Sequence, residues 1–223
     1  MVKKIEILGM ALDAYTAQDA MLLLEEHWDY AIMSTVENIY METLVKAHKD
    51  ELIKNCIENL DLAIICDKEI LKAAGAATKQ RIQEAAEKQF FREFMTRTVC
   101  DARTVYLLGE TREQLSLLEE FLNEGYQGLQ ALGSYALSEC EGDFDKAINE
   151  VNIAAPDIIL SVIPTPAQEY FLKDHKEKLN AKVWYGLGDH YFDKKGVLEV
   201  AGFARKLFHK GMLHSMLLHY HKK

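Results

Sequence analysis

The sequence predicts an α/β fold, a three-layer α/β/α, Rossmann-like arrangement around a mostly parallel sheet. Short apolar runs typical of buried strands recur along the chain, and helical patterns separate most of them. Because strands that alternate with helices form right-handed βαβ units, we expect a parallel sheet covered on both faces. The predicted strands are "KIEILGM", "YAIMST", "LAIICD", "TVYLLGE", "LQALGSY", "DIILSVI" and "KVWYGLG".

Two of the predicted helices begin with a capping signal. Thr16 opens "TAQDAMLLLEEHW", and Thr111 opens "TREQLSLLEEFLNEG" with Gln114 at the position of a capping box. Further helical patterns cover residues 37–60 and 78–98.

Composition excludes several classes of protein. The chain has 223 residues, 49% of them apolar, which is enough material for the core of one domain. Its formal charge of −9 argues against a nucleic-acid partner. No apolar run approaches the roughly 18 to 20 residues of a membrane span. The start "MVKKIEILGM" is predicted to be a strand rather than a signal peptide, and the four cysteines form no CxxC pair. We therefore expect a cytoplasmic protein with reduced thiols and no metal site.

Polar residues and glycines follow several predicted strands. Ligands of open parallel sheets bind beyond the carboxyl ends of the strands, so these residues are candidates for one crevice. They are Thr35, Asn38, Asp67, Gly109 and Gly188. Asp67 follows a buried-type run, and two interpretations of it stay open: a helix cap or a functional carboxylate.

All three prolines of the chain, Pro156, Pro164 and Pro166, flank the strand "DIILSVI". Proline restricts its own φ and the residue before it, so the loop "PTPAQE" is predicted to be rigid, with a helix starting at Pro166. Gln168 and Glu169 would then face the crevice, where an amide and a carboxylate suit a neutral polar ligand such as a sugar or a base. The alternative is a stiff turn with a capped helix.

Several common cofactor and catalytic motifs are missing. "GLGDHY" has two glycines of a dinucleotide fingerprint but lacks the third, and the sequence contains no P-loop, GxSxG or HExxH pattern. We therefore expect no bound cofactor.

In their order along the chain, from about Ile5 to Gly196, these segments resemble the WecG/TagA/CpsF glycosyltransferases (glycosyltransferase family 26). "STVENIYMETL" is similar to the family's Thr-Pro-Asn segment, "LAIICD" to its strand ending in Asp-Gly, and "QRIQE" to its Arg-Val-Thr-Gly turn. "VYLLGETREQLSLLEEFL", "APDIILSVIPTPAQE" and "VWYGLGDHYFD" resemble three further family segments, and PxQE followed by FD at this spacing is fairly specific.

The resemblance implies inverting transfer of an N-acetylhexosamine, typically N-acetylmannosamine, from a UDP-sugar donor. The acceptor would be a lipid-diphosphate-linked sugar of cell-envelope polysaccharide or teichoic-acid synthesis. Asp67 would be the general base, Thr35 would lie beside the donor sugar, and Arg81 would face the diphosphate. The expected substrate-binding residues are Thr35, Asn38, Arg81, Gly109, Pro166, Gln168, Glu169, Gly188 and Asp193.

Several family positions are altered, two of them glycines. Lys68 replaces the glycine after the aspartate, and Thr165 replaces the glycine before the PxQE proline. The alternative hypothesis is therefore a catalytically degenerate homologue that acts as a nucleotide-sugar-binding or partner protein.

The sequence predicts a glycosyltransferase-like domain over residues 1–196 and a basic helical appendage over 197–223. After Glu199 the chain has no acidic residue but carries lysines, histidines and one arginine beside apolar positions at helical spacing. Two interpretations remain. The appendage completes the core or a homo-oligomer interface, or it lies on an anionic membrane surface near a lipid-linked acceptor.

Overall fold

The computed structural model describes residues 4–28, 30 and 32–188. Its strands are β1 (Lys4–Ile7), β2 (Met10–Asp13), β3 (Ser34–Ile39), β4 (Leu62–Ile65), β5 (Thr104–Gly109), β6 (Gln130–Ala136), β7 (Ile158–Ser161) and β8 (Val183–Gly186). Its helices are α1 (Ala17–His27), α2 (Met41–Ala47), α3 (Glu51–Glu58), α4 (Lys68–Ala73), α5 (Lys79–Glu87), α6 (Gln89–Cys100), α7 (Arg112–Gly125), α8 (Asp145–Ala154) and α9 (Ala167–His175).

Six of these strands form one parallel sheet in the order β4-β3-β8-β7-β5-β6. On one face, Val36 and Tyr185 pack with α1, α6 and α7 in a single apolar cluster. On the other face, Ile39 packs with α2, α3 and α4, whereas Trp184 belongs to a separate cluster with α8 and α9. The predicted three-layer fold with a parallel sheet is confirmed.

The predicted first strand differs from the structure. "KIEILGM" contributes to a hairpin in which β1 and β2 pair antiparallel, outside the six-stranded sheet. Leu8 and Gly9 form its turn with φ of 51° and 75°, since a two-residue hairpin turn needs positive φ.

The segment around β3 also differs. "YAIMST" is not the strand; β3 begins at Ser34 and continues through Glu37 and Asn38, which the sequence placed after the strand or in a helix. The predicted helix over 37–60 is therefore the end of β3 followed by α2 and α3. The helical stretch over 78–98 divides into α5 and α6 at Lys88, whose φ is 51°.

Both predicted helix starts are confirmed. Thr16 accepts a hydrogen bond from the backbone N–H of Asp19, and Thr111 and Gln114 form a complete capping box. No helix in the described ranges is long and apolar enough to cross a membrane. The appendage predicted over 197–223 lies outside the described residues.

Two aspartates clamp the amino ends of neighbouring strands in the same way. Asp61, just before β4, accepts hydrogen bonds from the backbone N–H and the hydroxyl of Thr35 at 2.7 and 2.8 Å. Asp157, just before β7, accepts the same pair from Thr104 at 2.8 and 3.0 Å. Each clamp satisfies a strand-end donor and ties two adjacent strands together.

Replacing either clamp threonine with valine should lower the free energy of unfolding by about 1–3 kcal/mol. The hydroxyl donates to the aspartate carboxylate and accepts from the same aspartate's backbone N–H, and each lost hydrogen bond costs about 0.5–1.5 kcal/mol. Urea unfolding of Thr35→Val and Thr104→Val measures the free energy of unfolding. Because the two clamps have the same geometry, the two variants should lose similar amounts. A Thr35→Val protein as stable as the wild type would contradict a structural role for this hydroxyl.

Candidate active site

An open recess lies at the carboxyl ends of β3 and β4. Asn38 and Cys66 line it from these two strand ends. The start of α1 contributes Tyr15 and Thr16, and Arg81 enters from α5. The Tyr185 hydroxyl donates a hydrogen bond to Asn38 Oδ1 at 3.0 Å, which fixes the Asn38 amide. The recess therefore has the location at which open parallel sheets bind ligands.

Arg81 is held in this recess by Glu84. Their side chains are 12% and 8% exposed, and Arg81 Nη1 lies 2.9 Å from Glu84 Oε2. The same carboxylate accepts hydrogen bonds from the backbone N–H of Ala17 and from Gln80 Nε2. Glu84 thus joins α5 to the first turn of α1 and neutralises the arginine that faces the recess.

Asp67 follows β4 and caps α4, accepting a hydrogen bond from the backbone N–H of Glu69 at 2.9 Å. It is partly exposed and adjoins Cys66, which lines the recess. Burial raises the pKa of Cys66 to about 12, so its thiol is protonated at neutral pH. The helix cap at Asp67 is thus observed, and a functional role for its carboxylate stays a prediction.

Gln168 and Glu169 do not face the crevice as the sequence suggested. Their side chains are 3% and 0% exposed and lie between the sheet and its helical cover. A Cβ atom on Gly186 would lie 2.6 Å from the Gln168 amide, so this glycine makes room for it. The helix geometry explains the difference: α9 begins at Ala167 and turns these side chains towards β3 and β8.

Thr35 also lies away from the recess. It is at the amino end of β3, bound to Asp61, because the strand starts four residues later than "YAIMST" implied. Its predicted place at the carboxyl end of a strand is wrong. A role beside the donor sugar stays a prediction.

The remaining predicted residues are dispersed. Gly109 ends β5, where a Cβ would lie 3.0 Å from Leu115 Cγ, so close packing with α7 accounts for this glycine. Pro166 is exposed at the start of α9, after a cis Thr165–Pro166 bond. Gly188 follows β8 with a φ of 68°. Asp193 lies outside the described residues.

Glu84 was missed as a component of the recess, and Glu37, which the sequence placed at a strand end, lies on the opposite face of the sheet. Glu84 follows Arg81 by three residues, a spacing that pairs side chains on a helix, and this signal could have identified it. Glu37 lies inside a buried strand, and its partners are distant in sequence. No group of three or more His, Cys, Asp or Glu side chains in the described ranges is placed to hold a metal ion.

A parallel α/β sheet with a recess at its carboxyl edge defines a class of proteins that bind ligands beyond the ends of their strands. Comparison with protein families narrows this class, because the model of the glycosyl transferase WecG/TagA/CpsF family matches residues 5–193. The chain belongs to this family of glycosyltransferases. A comparison with curated proteins returned no match.

Adding a methyl group at Gly186 should destabilise the protein by about 1–3 kcal/mol, because Gln168 cannot move without disturbing buried neighbours. Gly186→Ala is compared with Gly125→Ala, whose Cβ would meet nothing within 4 Å. The control should be neutral or more stable by up to about 1 kcal/mol. Equal urea midpoints for the two variants would contradict the close packing of Gln168 on β8.

Proposed function

We propose that the protein transfers an N-acetylhexosamine from a UDP-sugar to a lipid-diphosphate-linked acceptor, with inversion at the sugar carbon. One observation carries the proposal. Within the family region, Asn38 and Arg81 line one recess at the carboxyl edge, and Asp67 follows Cys66, which also lines it. The recess offers an amide and a guanidinium to one ligand, and the carboxylate of Asp67 lies one residue beyond its lining.

Asp67 is the proposed general base. It takes the proton of the acceptor hydroxyl while that oxygen forms a bond to the anomeric carbon from the face opposite the leaving group. The bond between this carbon and the diphosphate oxygen breaks, and UDP leaves with the bonding electron pair. A carboxylate at a strand end next to an open recess can reach an acceptor that enters from solvent.

Arg81 is the proposed partner of the donor diphosphate. Guanidinium groups bind phosphate oxygens through two parallel hydrogen bonds and stabilise charge on a leaving group. Glu84 holds Arg81 by one nitrogen, Nη1, in the unliganded protein. The other nitrogens remain for a ligand, and Asn38 and Gly188 lie at neighbouring strand ends where the sugar or nucleotide would bind.

The proposal for the acceptor is supported by fewer of the described residues. We propose that a lipid-linked acceptor approaches from an anionic membrane surface, to which the basic residues of 197–223 would be attracted. A homo-oligomer that uses this segment as its interface is the alternative.

The second candidate function is binding of a nucleotide sugar without turnover. The altered family positions favour it, since Lys68 replaces the glycine after the aspartate and Thr165 replaces the glycine before the PxQE proline. The following two experiments separate binding from turnover.

Asp67→Asn should reduce turnover of a UDP-N-acetylhexosamine by about 10²-fold or more while UDP binding persists, because the amide cannot accept a proton. Asp50→Asn is the matched control, since Asp50 likewise caps the helix that follows it, α3. Asparagine caps helices as well as aspartate does, so stability should change little in both variants. Equal turnover in Asp67→Asn and wild type would rule out the base.

Arg81→Gln should weaken UDP binding about tenfold or more, because a hydrogen bond to a charged group contributes about 1.5–3 kcal/mol. Calorimetry measures the dissociation constant, and Arg112→Gln, which removes an exposed ion pair with Glu139, is the control. Because Arg81→Gln alone leaves the buried Glu84 carboxylate without its ion-pair partner, the double variant Arg81→Gln/Glu84→Gln removes that charge as well. If the double variant binds UDP as the wild type does, Arg81 is not the diphosphate ligand.

A further inference from the structure

Two carboxyl groups are buried together on the face of the sheet opposite the recess. Glu37 on β3 is 2% exposed, and Glu169 on α9 is 0% exposed. They lie between the two apolar clusters of this face, where α9 packs against α3. We call Glu37, Gln168, Glu169 and Thr165 the buried carboxyl cluster.

Hydrogen bonds connect most of the cluster. The Gln168 side chain hydrogen-bonds Glu37, and the Thr165 hydroxyl donates to Glu169 Oε1 at 2.8 Å. Three oxygens of the cluster have no donor. Within the described part of the chain, Glu37 Oε1, Gln168 Oε1 and Glu169 Oε2 are buried without a hydrogen-bond partner, and two of them belong to carboxyl groups. A buried acceptor without a donor is costly, so the site as it stands lacks one proton.

The surroundings decide which carboxyl group is protonated. Burial, and then the charge of Glu169, raises the pKa of Glu37 well above its usual value. Burial also raises the pKa of Glu169, but the Thr165 hydroxyl and the Lys46 ammonium counteract this. Lys46 binds Glu42 at 3.0 Å and the Thr165 carbonyl oxygen at 2.5 Å. The ammonium charge of Lys46 therefore favours the ionised form of Glu169.

We propose that Glu37 is a protonated positioning residue that donates its proton from Oε1 to Oε2 of an ionised Glu169. The pair then carries one negative charge, which Lys46, shared with Glu42, partly offsets. The two carboxyl oxygens without a partner become satisfied, and a continuous chain of hydrogen bonds runs from β3 through Glu169 to Thr165. Glu37 thereby holds the loop 164–166 at the carboxyl edge of the sheet.

Other titratable or charged groups near the pair come from three elements. They are Glu42 and Lys46 on α2, Cys56 on α3, and Lys173 and Asp174 on α9. Burial, with the charges of Glu37 and Glu169, raises the pKa of Cys56 to about 11, so this thiol is not a competing anion at neutral pH. Its Sγ donates to the Glu169 carbonyl oxygen at 3.6 Å.

The proton makes the stability of the protein depend on pH. A carboxyl group whose pKa is higher in the folded than in the unfolded state contributes its full stability below the unfolded value of about 4.3. This contribution is lost as the pH rises towards the folded pKa. Above that value two buried carboxylates repel each other, and the loop 164–166 is released. Any effect of this release on donor binding rests on the proposed function.

Infrared difference spectroscopy tests the proton directly and needs no substrate. At neutral pH the wild type should show the carbonyl stretch of a buried carboxylic acid, and Glu37→Gln should lack it. Glu120→Gln, which alters an exposed carboxylate on α7, is the control and should retain it. A wild-type spectrum without this band, or a band that persists in Glu37→Gln, would overturn the proposal.

Thermal unfolding across pH provides the second readout. Glutamine at position 37 keeps the shape and can donate to Glu169 without a titrating proton. The melting temperature of Glu37→Gln should therefore rise relative to wild type as the pH increases above about 4.3. Glu37→Ala, which cannot donate, should be destabilised at every pH. A constant difference between wild type and Glu37→Gln from acidic to alkaline pH would sink the idea, whether or not the protein binds UDP.

Discussion

Helices cover both faces of strand β3, and this constraint decides where the polar groups of the protein can be. Every side chain of β3 is buried, so each polar one needs a partner supplied by the fold. Asn38 accepts a hydrogen bond from Tyr185 on the face of the recess. Glu37 is hydrogen-bonded to Gln168 on the opposite face. At the amino end of the strand, Thr35 donates a hydrogen bond to Asp61. The recess, the buried carboxyl cluster and one strand clamp all follow from a single polar strand.

The two faces contribute differently to the proposed chemistry. The face of the recess carries groups that can contact a ligand, and its charged pair, Arg81 and Glu84, is satisfied before any ligand arrives. A ligand there competes with an internal carboxylate, so affinity depends on the difference between two ion pairs. On the opposite face, polar groups join β3 to α9 through Glu37 and Gln168.

Local patterns in the sequence were sufficient for the parts of the structure that depend on neighbours in the chain. The alternation of strands and helices, the caps at Thr16 and Thr111, and the position of Asp67 after β4 are such parts. Contacts between distant segments were not accessible in this way. Thr35 was misplaced because its partner Asp61 is 26 residues away, and polar residues inside β3 disguised a strand. The orientation of Gln168 depends on the missing Cβ of Gly186, which no periodicity reveals.

The two aspartate clamps have a consequence for motion. Both join strand pairs at the amino edge, where Asp61 holds β3 to β4 and Asp157 holds β5 to β7. Local opening of a sheet starts where backbone and side chains are least tied. Amides near Thr35 and Thr104 should thus be among the last of the sheet to exchange with solvent. Local opening is then expected at the carboxyl edge of the sheet, which is the edge where a ligand would bind.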